Sequence, residues 1–158
     1  MGYESVTDQK ITTLLTIAKG VTNPNTRESN KDGHTQRNYK ARSADGQEFT
    51  LYVRQNLKIE DDFSCGLQWH MPSGDSLTLV RYNGSSHWHP NRLEKTEIDF
   101  SCHIHRATEK YIKAERKPEG FAEQTNRYST LSGALHCLVT DCNISGLSTA
   151  ADHPKLFE

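Results

Sequence analysis

Apolar residues in this chain recur with two different periods, one helical and one strand-like. Near the start, Ile11, Leu14, Leu15 and Ala18 return at helical spacing, which gathers them on one face of a helix. Thr7 is placed to cap that helix and Gly20 to close it, with Val6 and Ile11 forming a staple across its first turn. Residues 22–36 have no period and many turn formers, a pattern that predicts a long mobile loop. Alternation then takes over. Tyr39 and Ala41, followed by Phe49, Leu51 and Val53, describe two strands around an Asp45-Gly46 turn. Phe63, Cys65, Leu67 and Trp69 share one face of a third strand, Pro72-Ser73-Gly74 turns the chain, and a fourth runs from about Leu77 to Tyr82.

The fifth predicted strand spans Glu97 to His105. There Ile98, Phe100, Cys102 and Ile104 face one side while Asp99, Ser101, His103 and His105 face the other. Residues 106–128 mix charge with Pro118 and Gly120 and read as a short helix or strand extension followed by a surface loop. Ser129 or Thr130 caps a last helix whose stripe is Leu131, Leu135, Leu138 and Cys142. Residues 147–158 read as a frayed tail. The expected architecture is α+β, one domain over residues 1–158. It has about five mostly antiparallel strands, with an N-terminal and a C-terminal helix packed on one face.

Composition adds limits to this picture. A chain of 158 residues with 34% apolar residues and a mean hydropathy of -0.79 folds because its apolar residues are grouped, not because they are many. The start carries no basic, apolar leader, and no run approaches the ~18 apolar residues of a membrane span. The expectation is a cytoplasmic protein without a membrane partner. Cys65, Cys102, Cys137 and Cys142 lack metal-ligand spacing and fall in apolar-patterned segments, as buried free thiols do. The glycosylation patterns at Asn83 and Asn143 carry no weight in a protein that is not secreted. A net charge of -1 conceals an uneven distribution: residues 37–58 hold five Lys/Arg against two Asp/Glu, whereas residues 59–80 hold four Asp/Glu and no Lys/Arg. A locally basic face of this kind attracts phosphate.

The candidate chemistry lies in two His-x-His pairs, His87-Trp88-His89 and His103-Ile104-His105. On an extended strand each pair points both rings the same way, ~6.6 Å apart. If the strand ending Arg81-Tyr82-Asn83 pairs with the one ending at His105, the four histidines, Arg81 and Arg106 converge at one end of the sheet. Imidazoles supply base and acid near neutral pH, and arginine offsets charge developing on phosphate. Together they make a candidate for metal-independent RNA cleavage. In it His103 and His105 are the acid/base pair, Arg81 and Arg106 the charge stabilisers, and His87 and Tyr111 the supporting groups. His89, Arg127 and Tyr128 contact the substrate. The same histidines with Asp99 or Glu109 form an alternative metal set, and a third reading leaves them as ordinary hydrogen-bonding groups. His34, His70, His136 and His153 are read as incidental, and Trp69 and Trp88 as packing residues.

The run Arg81-Tyr82-Asn83-Gly84, then His87 and His89, Phe100, and His103 through Tyr111, resembles an uncharacterised bacterial family. Thr125 through Ser129 and the helix ending Asp141-Cys142-Asn143 fit the same pattern. More distantly, the Arg-Tyr strand end followed by histidines and a closing His-x-His is similar to TumE-type toxins of bacterial toxin–antitoxin pairs. That resemblance matches His87, His103 and His105 to the toxin histidines and Arg81-Tyr82 to the Arg-Tyr pair. It implies an RNase-like protein of toxin or phage-defence type, without a cofactor, acting on RNA and partnered by an antitoxin. This chain departs from the toxins in Asn83-Gly84, in length and in its terminal helices. The rival expectations are a non-catalytic binding or inhibitor protein, with Arg37, Arg42 and Arg54 as contacts, and a metal-dependent hydrolase.

Overall fold

The structure, a computed structural model, describes residues 2–147. Most of the expected tail therefore lies outside the described residues. The elements in chain order are α1 (Asp8–Thr16), β1 (Lys19–Val21), β2 (Ser29–Lys31), β3 (His34–Ser43), β4 (Glu48–Asn56), β5 (Phe63–His70), β6 (Ser76–Asn83), β7 (His89–Asn91), β8 (Thr96–Ile98), β9 (His103–Arg106), α2 (Glu109–Lys113), β10 (Phe121–Gln124), α3 (Leu131–Asp141) and β11 (Ile144–Ser145). Strands run β10-β9-β6-β5-β4-β3-β1-β11 across one sheet, with β2 added on β3, while β7 and β8 form a separate hairpin. The α+β class, the mostly antiparallel sheet and the two long helices on one face agree with the sequence pattern. The sheet has nine strands rather than about five, and α2 is a third helix.

Alternation builds the two faces. Tyr39, Ala41, Phe49, Leu51, Val53, Cys65, Leu67 and Trp69 point to one side, where they meet Ile11 and Leu14 of α1 and Ala134, Leu135 and Leu138 of α3 in one buried core. Thr7 and Thr130 cap the two helices by accepting from Lys10 N and Gly133 N, as their sequence positions predict. The β3–β4 turn places Gly46 at φ +88, where a side chain would clash with the preceding carbonyl. On β6 the register slips at Leu79, so that both Leu79 and Val80 are buried. The bulge flips the later alternation and turns Arg81 and Asn83 to the face away from the helices.

Three expectations need correction. The loop predicted over 22–36 contains β2, which pairs with the first residues of β3 through Asn30 and Thr35. Helix α1 ends at Thr16, because residues 19–21 pair with β3 on one side and β11 on the other. Lys19 fixes that junction from a site only 2% exposed. Its ammonium donates to the carbonyls of Leu15, Ile17 and Cys142 at 2.8–2.9 Å, joining the ends of α1 and α3. Finally, the strand predicted over 97–105 is two strands: β8 pairs with β7, β9 pairs with β6 and β10, and residues 99–102 connect them.

Candidate functional site

On the face away from the helices, the pleat presents rows of polar side chains. One row across β3, β4, β5, β6 and β9 reads Asn38, Tyr52, Gly66, Arg81 and His105; the next reads Gln36, Arg54, Ser64, Asn83 and His103. Lys40, Thr50 and Gln68 form a third. Together with Asp62 and His87 from the loops at one end, the side chains of these rows on β3 to β6 line a groove of about 620 Å³, while His103 and His105 on β9 stay outside its lining. Gly66 is the gap that shapes its floor. A Cβ there would lie 2.5 Å from the Tyr52 hydroxyl, so the phenol lies across the glycine towards Arg81. Burial pushes the Tyr52 hydroxyl up to about 12, with the Arg81 guanidinium acting against it.

Lys40 and Arg54 are exposed along the groove. Arg81 is held by Asn83 Oδ1, which accepts from its Nε at 3.2 Å, and lies 3.5 Å from the buried Glu119 carboxylate. At the mouth, Asp62 accepts from Asn56 Nδ2 at 2.9 Å and faces two imidazoles, with Nε2 of His34 and of His87 each 3.4 Å away. Desolvation alone would raise the Asp62 carboxyl, but hydrogen bonds from Asn56 and His34 and the nearby His87 leave it below the usual carboxylate range. Three cations against the Asp62 carboxylate at the mouth and the Glu119 carboxylate engaged with Arg81 give the groove a positive bias.

The pairing of β6 with β9 expected from the sequence is present, and it sets Arg81 opposite His105 and Asn83 opposite His103. These two histidines do not face solvent. The β7–β8 hairpin lies over them and leaves them 1% and 4% exposed. Its His89 ring sits 4.5 Å from that of His105 and 5.8 Å from that of His103, which are 5.0 Å from each other. The Nδ1 atoms of His103 and His105 lie 2.8 and 2.9 Å from the carbonyls of Ser101 and Glu119. A carbonyl only accepts, so each Nδ1 carries the proton. Burial lowers the pKa of His103 and, with Arg81 beside it, pushes His105 down to about 2. Both are neutral at physiological pH.

His87 stands apart from this trio, beside Asp62 and largely exposed. Arg106 follows His105 on the strand and so points to the helix side, donating to Thr12 Oγ1 at 2.7 Å. Tyr111 is buried on α2, where its hydroxyl donates to Glu94 at 2.6 Å. Arg127 grips Asp141 with two hydrogen bonds, and Tyr128 is buried against Phe63 and Tyr82, its hydroxyl tying the carbonyls of Asn83 and His103. The convergence expected of the four histidines, Arg81 and Arg106 is therefore limited to His89, His103, His105 and Arg81. Asp99 lies in the exposed connection before β9, and Glu109 is engaged with Asp8 and Lys113. Among the described residues no three His, Cys, Asp or Glu side chains are grouped to hold a metal ion.

Sequence reasoning passed over Tyr52, Asp62 and His34, and named Arg54 only among contacts of a rival reading. The signal for Tyr52 and Arg54 was the polar half of the alternation: positions 34, 36, 38 and 40, and 50, 52 and 54, face away from the apolar set that defined the strands, and His34 starts that row, whereas Asp62 lies in the β4–β5 connection, where no alternation marks it. Of the three arginines named in that reading, Arg54 alone lines this groove. All four cysteines are free, three of them buried, and no helix among the described residues is long and apolar enough to cross a membrane. No family model, curated protein or solved structure matches this chain, so the functional reading rests on the geometry of the groove.

Proposed function

We propose that the protein binds nucleic acid, RNA in the first instance, along the polar face of its sheet. The observation that carries this reading is the groove itself. Lys40, Arg54 and Arg81 stand among neutral donors and acceptors on a face that no helix of the described residues covers, the arrangement suited to a phosphate-bearing chain. Arg54 and Arg81 are two strands and one row apart, ~12 Å from the strand spacing and rise, so each meets a different phosphate. His103, His105 and His89 pack together beyond Arg81 and Asn83, outside the lining of the groove.

The test is fluorescence anisotropy with a labelled RNA oligonucleotide at several salt concentrations. Arg54→Ala and Arg81→Ala each weaken binding, and each lowers the slope of log affinity against log salt by about 0.7–0.9. Unchanged affinity in both variants would rule out this face.

Cleavage of the bound strand is the second reading, favoured by His87. It offers a largely exposed imidazole at the groove mouth with a carboxylate on its Nε2 side, the placement of a general base oriented by an acid. His103 and His105, neutral and covered, are poorly disposed to exchange protons with a substrate. Purified wild type, His87→Ala and a His103→Ala/His105→Ala variant, incubated with total RNA with and without EDTA, separate the cases. EDTA-resistant cleavage lost in His87→Ala alone identifies His87 as the base. Loss in the double variant with its fold intact returns the role to the buried pair. An intact substrate throughout leaves a binding protein.

A further inference from the structure

Among the described residues four large apolar side chains are exposed: Leu57, Ile59, Trp88 and Phe100. All four come from connections at one end of the sheet. The β4–β5 loop carries Leu57 and Ile59, the β6–β7 loop carries Trp88, and the β8–β9 connection carries Phe100. That end is fixed by the pairings His34 with Asn56, Ser64 with Asn83, and Asn83 with His103. It is also the end at which Asp62 and His87 form the groove mouth. Trp88 directly follows His87, and Phe100 precedes Ser101, whose carbonyl holds His103. The expectation that both tryptophans are packing residues holds for Trp69, 5% exposed, and fails for Trp88, which is 46% exposed.

An indole and a phenyl ring left in solvent beside a basic groove suit the π-face of an unpaired base. The groove walls add the complementary chemistry. Gln36, Asn38, Gln68 and Asn83 carry amides, which pair with base edges, and a base edge is free for such contacts when its own partner strand is absent. The groove's volume of about 620 Å³ is that of a site for a small ligand, room for about one or two nucleotides. A duplex is too wide to enter it.

On the strength of the groove reading above, we infer that the ligand is single-stranded nucleic acid. Its phosphates lie on Arg54 and Arg81, one or two bases enter the amide-lined groove, and a further base stacks on Trp88 at the mouth, with Phe100 beside it. An apolar rim serving a protein partner would instead leave nucleic-acid affinity indifferent to Trp88.

The experiment compares a fluorescein-labelled single-stranded RNA 10-mer with the same strand annealed to its complement. Both are titrated with wild type, Trp88→Ala, Trp88→Phe, Phe100→Ala, Arg54→Ala and Arg81→Ala. The single strand binds at least tenfold more tightly than the duplex. Trp88→Ala weakens it about 5- to 100-fold, as the loss of one stacked base does, and Trp88→Phe recovers most of that loss. Because Trp69 is buried, the bound strand also quenches tryptophan emission in wild type and far less in Trp88→Ala. Equal affinity for both probes, or an unchanged Trp88→Ala, overturns the single-strand inference even where Arg54→Ala still weakens binding. If neither probe binds, or Arg54→Ala and Arg81→Ala change nothing, the groove reading fails and this inference with it.

Discussion

His105 illustrates how a residue chosen for its chemistry takes a different part once the chain folds. Its Nδ1 proton is committed to the Glu119 carbonyl, Arg81 is its cross-strand neighbour, and the His89 ring packs on its edge. Protonation would place a second positive charge against the guanidinium in a site with little water. The thermodynamic consequence has a definite sign. His103 and His105 both have folded-state pKa values below that of an unfolded histidine. The unfolded chain therefore takes up protons that the folded one refuses as pH falls below about 6.5. The stability these two sites contribute is complete above that pH and declines beneath it, by up to about 1.4 kcal/mol per pH unit for each histidine. Urea unfolding at pH 7 and 5.5 is expected to show a loss of about 1 kcal/mol or more in wild type, and a smaller loss in His105→Gln. A flat profile would mean that the hairpin admits water to these rings.

The chain itself disclosed part of this. Strand parity put His103 and His105 on one face, and the same parity puts Arg106 on the other, a distinction that reading the residues as a cluster overlooked. What the local pattern did not contain was the cover. A hairpin of two three-residue strands, placed over β9 by tertiary contacts, turns a polar strand end into a buried one, and nothing in the alternation of residues 97–105 records it.

At the scale of elements, the β7–β8 hairpin has a second task. β10 is the last strand of its side of the sheet, and a free edge is a template for association with other chains. Asn91 closes it. Its Oδ1 accepts from Ala122 N at 2.9 Å and its Nδ2 donates to Ala122 O at 2.8 Å, a side chain reproducing the two bonds of a neighbouring strand. His89 adds a contact to the Gly120 carbonyl at 2.8 Å. Asn91→Ala removes both partners of a buried backbone pair and is expected to cost about 1–3 kcal/mol, together with concentration-dependent association visible in light scattering. Retained stability and a monodisperse variant would show that water replaces the amide. The elements hardest to read from sequence are of this kind. β1, β2, β7, β8 and β11 are two or three residues long and are specified by pairing and side-chain hydrogen bonds. The ones read correctly, β3 to β6 and the two long helices, bury enough periodic apolar residues to declare themselves.

For the whole molecule, the division of labour follows from one sheet with two unlike faces. The apolar face carries the fold, and the polar face carries the groove. Lys19 belongs to the first of these, although its residue type suggests the second. Burial holds its ammonium at a pKa of about 8, below that of an unfolded lysine, so between about pH 8 and 10 the unfolded chain holds a proton that the folded one has released. The stability of wild type relative to Lys19→Met is therefore expected to rise by about 1–2 kcal/mol between pH 8 and 9.5, measured by urea unfolding in parallel. A constant difference would mean that the three carbonyls keep the amine charged.

The same lysine ties together parts of the chain that are made at different times. Lys19 and Cys142 are 123 residues apart, and β1 gains its second neighbour through residues 144 and 145. At about 5–20 residues per second, a ribosome takes on the order of 6–25 seconds to deliver that neighbour after Lys19 is made. Through that interval the carbonyls at the end of α1 face an ammonium with one of its three partners missing. The hairpins of β3 to β6 close locally as they emerge, so the first strand of the sheet is among the last to be completed.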